Sequence, residues 1–427
     1  MKKIELKGLE QFVYYEKLKN GLEVYLVPFS NKKNYVMTYA TKFGSLSTTF
    51  IPYDGKKYIT VPDGIAHFLE HKMFEQEDGI DPFTFASKSG TYSNAATDFD
   101  STKYYFEGNK NFKENLDYLL DFVGSPYFTD SNVEKEKGII AEEIKQYDDS
   151  IGWFMEEEMY KSLFHKDNHR IDIAGTIESI NKITKEDLYR TYYTFYQPSN
   201  MFLVITGNFD VDEAISTIKN NRTLNNAKSN IEIKVKEEKE PLKVVDKYKE
   251  LTFNIADTKM VYSIKIDVKD MDKYLLKMYV AMLLEIKFGS SSLFKEKFNK
   301  TGIYTKFYAS RSIIGDYLII NFYADTSEPK KLVEEIKKEL SNIDIDDVEL
   351  ERMKKVWIAS TVMGSDDVGY VNSYIFYNII RYGCIKNNLI DTYKKLNKKE
   401  YMNMIKKLDF NNDSLIVIKS NKKSKKS

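Results

Sequence analysis

Between residues 223 and 245 the apolar periodicity of this chain lapses, and asparagine, lysine and glutamate dominate. That break constrains the fold, because 427 residues exceed what one hydrophobic core ordinarily organises. Strand and helix signals lie on both sides of it in a loosely repeating order. We therefore expect two α+β domains, residues 1–222 and 246–427, joined by a linker at 223–245, in place of one continuous sheet. The order suggests a duplication that residue identity between the halves is too weak to demonstrate.

Before the break, β-branched and aromatic runs at 22–28 and 35–43 predict strands, and 90–107 predicts a strand pair. Helical periodicity covers 64–75, 111–123, 131–149 and 185–195, with Asp130 or Ser131 expected to cap the third. A buried strand at 201–207 and a helix at 211–219 close this half. After the break come a strand-like stretch at 251–268, a helix at 273–287 and strands at 305–310 and 316–323. Helices at 328–340 and 348–361 and a strand at 414–419 follow.

Composition removes several classes of function. Lysine plus arginine (64) balances aspartate plus glutamate (64), so no global field draws in nucleic acid or an anionic membrane. No apolar run reaches the length of a bilayer span. Residues 1–10 are charged and lack the apolar region of a signal peptide. Cys384 is the single cysteine, which excludes an intramolecular disulfide and a cysteine-rich metal site. A cytoplasmic protein is expected, with residues 419–427, rich in lysine and serine, as a solvated end.

The motif that carries chemistry is His67-Phe68-Leu69-Glu70-His71. On a helix, residues four apart share one face, so two imidazoles can grip one tetrahedral metal. Glu70 projects beside them, where it can take a proton from a metal-activated water. Zinc suits such donors and lowers the pKa of a bound water to about 7. One Zn2+ per chain is expected.

A catalytic zinc usually takes three protein ligands. His165 and His169 are also four apart, but the residues between them read as a loop, and surface histidines near a turn are the simpler interpretation. The helix predicted at 131–149 offers more. Its inward stripe runs Val133, Glu136, Ile140, Glu143, Tyr147, placing two carboxylates where apolar residues belong. Glu142 falls on a solvated face with Lys135 and Gln146. We therefore expect Glu143 as the third ligand and Glu136 as a residue that orients a ligand by hydrogen bonding.

These residues resemble a known family. The run from Asp63 to Phe74 resembles the zinc helix of the insulinase, or pitrilysin-like, metallopeptidases, whose H-x-x-E-H order is the inverzincin motif. The block Gly90-x-x-x-Asn94-Ala95-x-Thr97 is similar to the family's substrate-binding strand. The block from Glu136 to Ile144 is similar to its second ligand helix and again selects Glu143. The segment Arg170 to Ile180 has the flavour of the half-length bacterial branch, which is similar to mitochondrial processing peptidase. The resemblance implies two homologous α/β-sandwich domains forming one half of a clamshell chamber. It also implies a zinc-dependent endopeptidase acting on small unfolded peptides, with a ribosomally made peptide among the candidate substrates. Thr91, Ser93, Asn94, Ala95 and Ala96 would bind the peptide as an added strand. The rival reading is a non-catalytic peptide-binding or assembly subunit.

One departure bears on partners. Active chambers of this family pair an arginine with a tyrosine, seven residues apart, in the second domain. Aligned on Gly302, those positions hold Phe298 and Thr305; aligned on Tyr304, the arginine position holds Lys297. Lysine cannot reproduce a bidentate guanidinium contact. The resemblance therefore implies a heterodimer with a related half-length subunit that supplies the pair, a homodimer being the other arrangement.

Overall fold

The computed structural model of the protein describes residues 1–421, so 422–427 of the lysine- and serine-rich tail lie outside the described residues. The chain divides into two units: Met1–Gln146 with Ile171–Glu237 and Ala359–Thr392, and Tyr147–Arg170 with Glu238–Ile358 and Tyr393 onward. Among the described residues fourteen strands run in chain order. In unit 1 they are β1 (Lys2–Leu6), β2 (Gln11–Lys17), β3 (Glu23–Pro28), β4 (Tyr35–Thr41), β5 (Thr49–Phe50), β6 (Ile59–Thr60), β7 (Tyr92–Thr97), β8 (Thr102–Gly108) and β9 (Met201–Gly207). Unit 2 holds β10 (Tyr248–Phe253), β11 (Lys259–Asp267), β12 (Lys306–Ile314), β13 (Tyr317–Asp325) and β14 (Asp413–Ser420).

The two sheets share one topology. Unit 1 has the order β1-β2-β3-β9-β4-β8-β7 and unit 2 the order β10-β14-β11-β13-β12. Set β1 and β2 aside, and both sheets read first, fifth, second, fourth, third in chain order. In both, the first and fifth strands are parallel and every other neighbour is antiparallel.

Three local expectations need correction. β1 and β2, unforeseen, extend the unit 1 sheet. The stretch 251–268 splits into β10 and β11, which are separated by β14. The Asp130–Asp148 helix is capped by Thr129, one residue earlier than expected: its hydroxyl accepts from Asn132 N–H at 3.1 Å, while Asn132 Oδ1 accepts from Thr129 N–H at 2.8 Å.

Two segments lie across the boundary expected at 223–245. Helix Val368–Tyr382 belongs to unit 1, where Val368, Val371, Ile375, Phe376 and Ile379 cluster with Tyr25, Val27, Val36, Ala40, Phe202 and Val204 of the sheet. Its Asn372 is buried among them yet fully used, donating to the carbonyls of Val36 and Val204 at 3.2 Å each and accepting from Thr38 Oγ1 at 2.7 Å. Helix Ile151–Leu163 belongs to unit 2, where Met155, Met159 and Leu163 cluster with Val261, Ile319, Ile416 and Ile418. The other faces carry further helices: Phe288 of Lys273–Phe288 packs on Phe322 of β13, and Phe122 of Phe112–Gly124 packs on Phe106 of β8. Covering both faces explains why β4 and β9 are buried along their whole length, as the run MFLVITG implies.

Unit 2 also buries an ion pair. Lys265 Nζ, with no exposed surface, donates to Glu240 Oε1 and to the carbonyls of Leu163 and Pro241, all at 2.8 Å. Glu240 in turn accepts the backbone N–H groups of His165, Lys166 and Asp167. Among the described residues no helix is long and apolar enough to cross a membrane.

Candidate metal centre

The helix Ile65–Met73 begins at Gly64, whose φ of 88° is left-handed and open to glycine at little cost. A Cβ there would also meet Ala174 O at 2.4 Å, and one on Gly175 (φ 74°) would meet Asp63 O at 2.6 Å. Two glycines thus let the segment after Asp172 close onto the start of the helix, where Ser179 Oγ donates to Asp63 O at 2.9 Å. Ile65, Phe68, Leu69 and Met73 are buried and anchor the helix. The positions between them are left to His67, Glu70 and His71.

His67 and His71 stand one turn apart with ring centroids 4.6 Å from each other. Across from them the helix Asp130–Asp148 buries Val133, Glu136, Ile140 and Ile144, and this stripe aims Glu143 at both rings. Glu143 Oε1 lies 3.8 Å from His67 Nε2 and Oε2 lies 3.3 Å from His71 Nε2. The three potential ligand atoms fall within 4.8 Å of one another, and no other such group occurs among the described residues. Tetrahedral zinc with ligands near 2.0–2.1 Å needs ligand atoms about 3.3 Å apart. The His–His–Glu set fits with small side-chain adjustments, and two imidazoles with one carboxylate leave a fourth position open. Glu142 points away, with a side chain 70% exposed and paired to Lys145, as its face predicted.

Glu136 Oε1 receives His71 Nδ1–H at 3.0 Å, leaving Nε2 directed at the centre. Its Oε2 lies 3.4 Å from Lys72 Nζ, a fully buried ammonium that also contacts Glu75. Burial works against the Glu136 carboxylate, but His71 and Lys72 hold it below the usual carboxylate range. The two histidines differ sharply. Burial and the neighbouring His71 push His67 down to about 4. Burial opposes charge on His71 as well, but hydrogen bonds with Glu136 and Glu143 raise it to about 9. Replacing Glu136 with glutamine removes the anionic acceptor at constant size. We expect zinc affinity to fall about 10- to 100-fold. Competition with a fluorescent chelator measures this, and unchanged affinity would deny Glu136 its orienting role.

Glu70 is largely shielded, and burial raises its carboxyl above the ordinary value, with hydrogen bonding to Thr97 pulling the other way. A carboxylate shifted toward neutrality is a better proton acceptor for a water. Thr97 Oγ1 donates to Glu70 Oε2 at 2.7 Å.

β7 is the outer strand of its sheet, paired on one side with β8 alone. The five residues expected to bind peptide divide. Asn94, Ala95 and Ala96 lie on β7 with accessible surface. Ser93 is on β7 with its side chain buried. Thr91 precedes the strand, and its hydroxyl accepts from Asn115 Nδ2 at 2.8 Å, so its side chain faces inward. His165 and His169 lie in unit 2: His165 Nε2 is 3.0 Å from Lys243 O, and His169 Nδ1 is 2.6 Å from Asp167 Oδ1. At the positions expected for the arginine, Phe298 is buried and Lys297 pairs with Glu335 at 2.9 Å.

Residues 60–177 match the family described as insulinase (peptidase family M16), and residues 182–356 match the peptidase M16 inactive domain. The zinc protease YmfH of Bacillus subtilis is 39% identical over 407 residues, spanning 92% of each chain. A mitochondrial-processing peptidase subunit beta of Arabidopsis thaliana is 26% identical over 164 residues, 37% of this chain and 30% of that one. The crystal structure of an M16-like peptidase from Alicyclobacillus acidocaldarius superposes with a TM-score of 0.91 at 30% identity, covering 97% of this chain and 99% of that one. Pitrilysin shares the fold at a TM-score of 0.74 and 16% identity, with 98% of this chain covering 46% of that one.

Proposed function

We propose a function from one premise: the chain belongs to the insulinase family of peptidases, M16. It is a zinc-dependent endopeptidase that hydrolyses internal bonds of short, unfolded peptides. The observation that carries this reading is the convergence of His67, His71 and Glu143, from two helices, beside a shielded Glu70 on the same turn as His71.

Zinc held by His67, His71 and Glu143 would supply Lewis acidity toward a carbonyl and a water acidified to about pKa 7. The chain does the rest. Glu136 keeps His71 in the tautomer that presents Nε2. Glu70 takes a proton from the attacking water and returns it to the departing amine. The unpaired edge of β7, through Asn94, Ala95 and Ala96, offers main-chain hydrogen bonds to an extended segment. A short, unfolded peptide presents such a segment along its whole length, which favours unfolded peptides as the substrate class, ribosomally made precursors among them. With Phe298 and Lys297 where a guanidinium is expected, the working enzyme pairs this chain with a related half-length subunit that provides the missing Arg and Tyr and completes an enclosed chamber.

The test is metal analysis joined to cleavage of an internally quenched, unstructured peptide, by the chain alone and with a co-encoded relative. One zinc per chain, loss of cleavage on chelation and recovery on zinc return are expected. A zinc-loaded protein that cleaves no peptide in either form would refute the assignment. Full activity of the lone chain would refute the need for a partner only.

A further inference from the structure

A carboxylate that must collect a proton from one water works only while it faces that water, and each free side-chain torsion dilutes the productive geometry. Glu70 has a restraint from outside its own helix. We propose that Thr97 is a positioning residue for Glu70: its hydroxyl, at the end of the edge strand β7, fixes the orientation of the carboxylate that carries the proton. The inference rests on the reading of Glu70 given under Proposed function.

The Thr97 Oγ1 to Glu70 Oε2 distance of 2.7 Å is that of a charge-assisted O–H···O bond. The direction of the proton follows from the neighbours. A threonine hydroxyl has one proton to give. The other hydroxyl within reach is Thr102 Oγ1, at 3.4 Å. That group, with no exposed surface, donates its own proton to Phe43 O at 3.0 Å. The carboxylate is therefore the better acceptor for Thr97, both by charge and by distance. Pairing of Thr97 with Thr102 in the β7–β8 register fixes the strand end, and β7 packs against the Ile65–Met73 helix, so both partners of the bond sit on rigid elements. Since Thr97 closes the strand whose outer edge takes the peptide, docking of substrate and aim of the base are set by one element.

Thr97→Val keeps the branched shape of the side chain and removes the hydroxyl, and Thr97→Ser keeps the hydroxyl. For the zinc-loaded protein with its partner and a quenched peptide, kcat of Thr97→Val should fall about 10- to 100-fold with KM and zinc content unchanged, and Thr97→Ser should recover most of the loss. Crystal structures of the two variants should show the Glu70 carboxylate turned in the valine form and restored in the serine form. Unchanged kcat with an unmoved carboxylate in Thr97→Val would overturn the proposal. So would a rise in KM at constant kcat, which would make Thr97 a docking residue, or failure of serine to rescue. If the wild-type protein cleaves nothing, the functional reading fails separately, and the Glu70 orientation in the two crystal structures still decides the role of Thr97.

Discussion

Replacing Glu70 with glutamine is expected to lower kcat/KM for peptide cleavage by about 10²- to 10⁴-fold while leaving the zinc content intact. Glutamine preserves the size of the side chain and its ability to accept from Thr97 Oγ1, but it cannot take up a proton. None of the three converging ligand atoms belongs to Glu70, so the variant should load metal as the wild type does. Thr97→Val placed on top of Glu70→Gln should then do no further harm to the residual rate, because there is no proton carrier left to aim. Near-normal turnover by Glu70→Gln would move the proton-transfer role to another group and remove the basis for the Thr97 assignment with it.

The second large effect is on stability and lies far in sequence from His67, His71 and Glu143. Glu240→Ala is expected to destabilise unit 2 by about 3–5 kcal/mol, because it strands the ammonium of Lys265 in an enclosure with no exposed surface. Three amides, of His165, Lys166 and Asp167, lose their acceptor at the same time. Glu240→Gln together with Lys265→Met keeps an acceptor for the amides and removes both charges. It should recover much of the loss, since an ion pair replaced as a unit is often close to neutral. Urea unfolding followed by fluorescence measures both, and a single Glu240→Ala variant as stable as wild type would contradict the account.

The same pair sets a pH dependence. Burial opposes the Glu240 carboxylate, but Lys265 and the three amides more than compensate, so its folded pKa lies below the ordinary 4.5. A depressed acid contributes stability that is fully present above its unfolded value and is lost as pH falls through the folded one. Below about pH 4.5 the wild type should therefore lose stability more steeply than Glu240→Gln, and parallel slopes for the two would count against the pair.

How much of this was readable beforehand follows the range of the interactions. The convergence of His67, His71 and Glu143 was legible because each half of it is local: a four-residue spacing on one helix, and on another a stripe in which Glu136 and Glu143 replaced apolar residues. The choice of Glu143 over Glu142 needed only helical phase. Resemblance named the peptide-binding strand, but could not tell that the side chains of Thr91 and Ser93 turn inward. The bond from Thr97 to Glu70 joins a strand end to a helix 27 residues earlier and has no sequence signature. Helix Val368–Tyr382 went unread for a different reason. Its residues, VGYVNSYIFYNIIRY, are aromatic and β-branched on nearly every side, a composition that favours strands, and the sheet it covers is far away, with Asn372 bonding Thr38 across 334 positions.

That distant helix alters what the two halves of the gene can do by themselves. A fragment ending at residue 237 would contain His67, His71 and Glu143, yet Tyr25, Val27, Val36, Ala40, Phe202 and Val204 would face water. Each of the five apolar side chains that Val368–Tyr382 brings to this surface is worth about 1.5–3 kcal/mol when buried. A whole domain is typically stable by only about 5–15 kcal/mol. The lysine- and glutamate-rich break at 223–245 is thus a tempting but unserviceable scissor point, and the half that carries the His–His–Glu group is not expected to fold as a free-standing part.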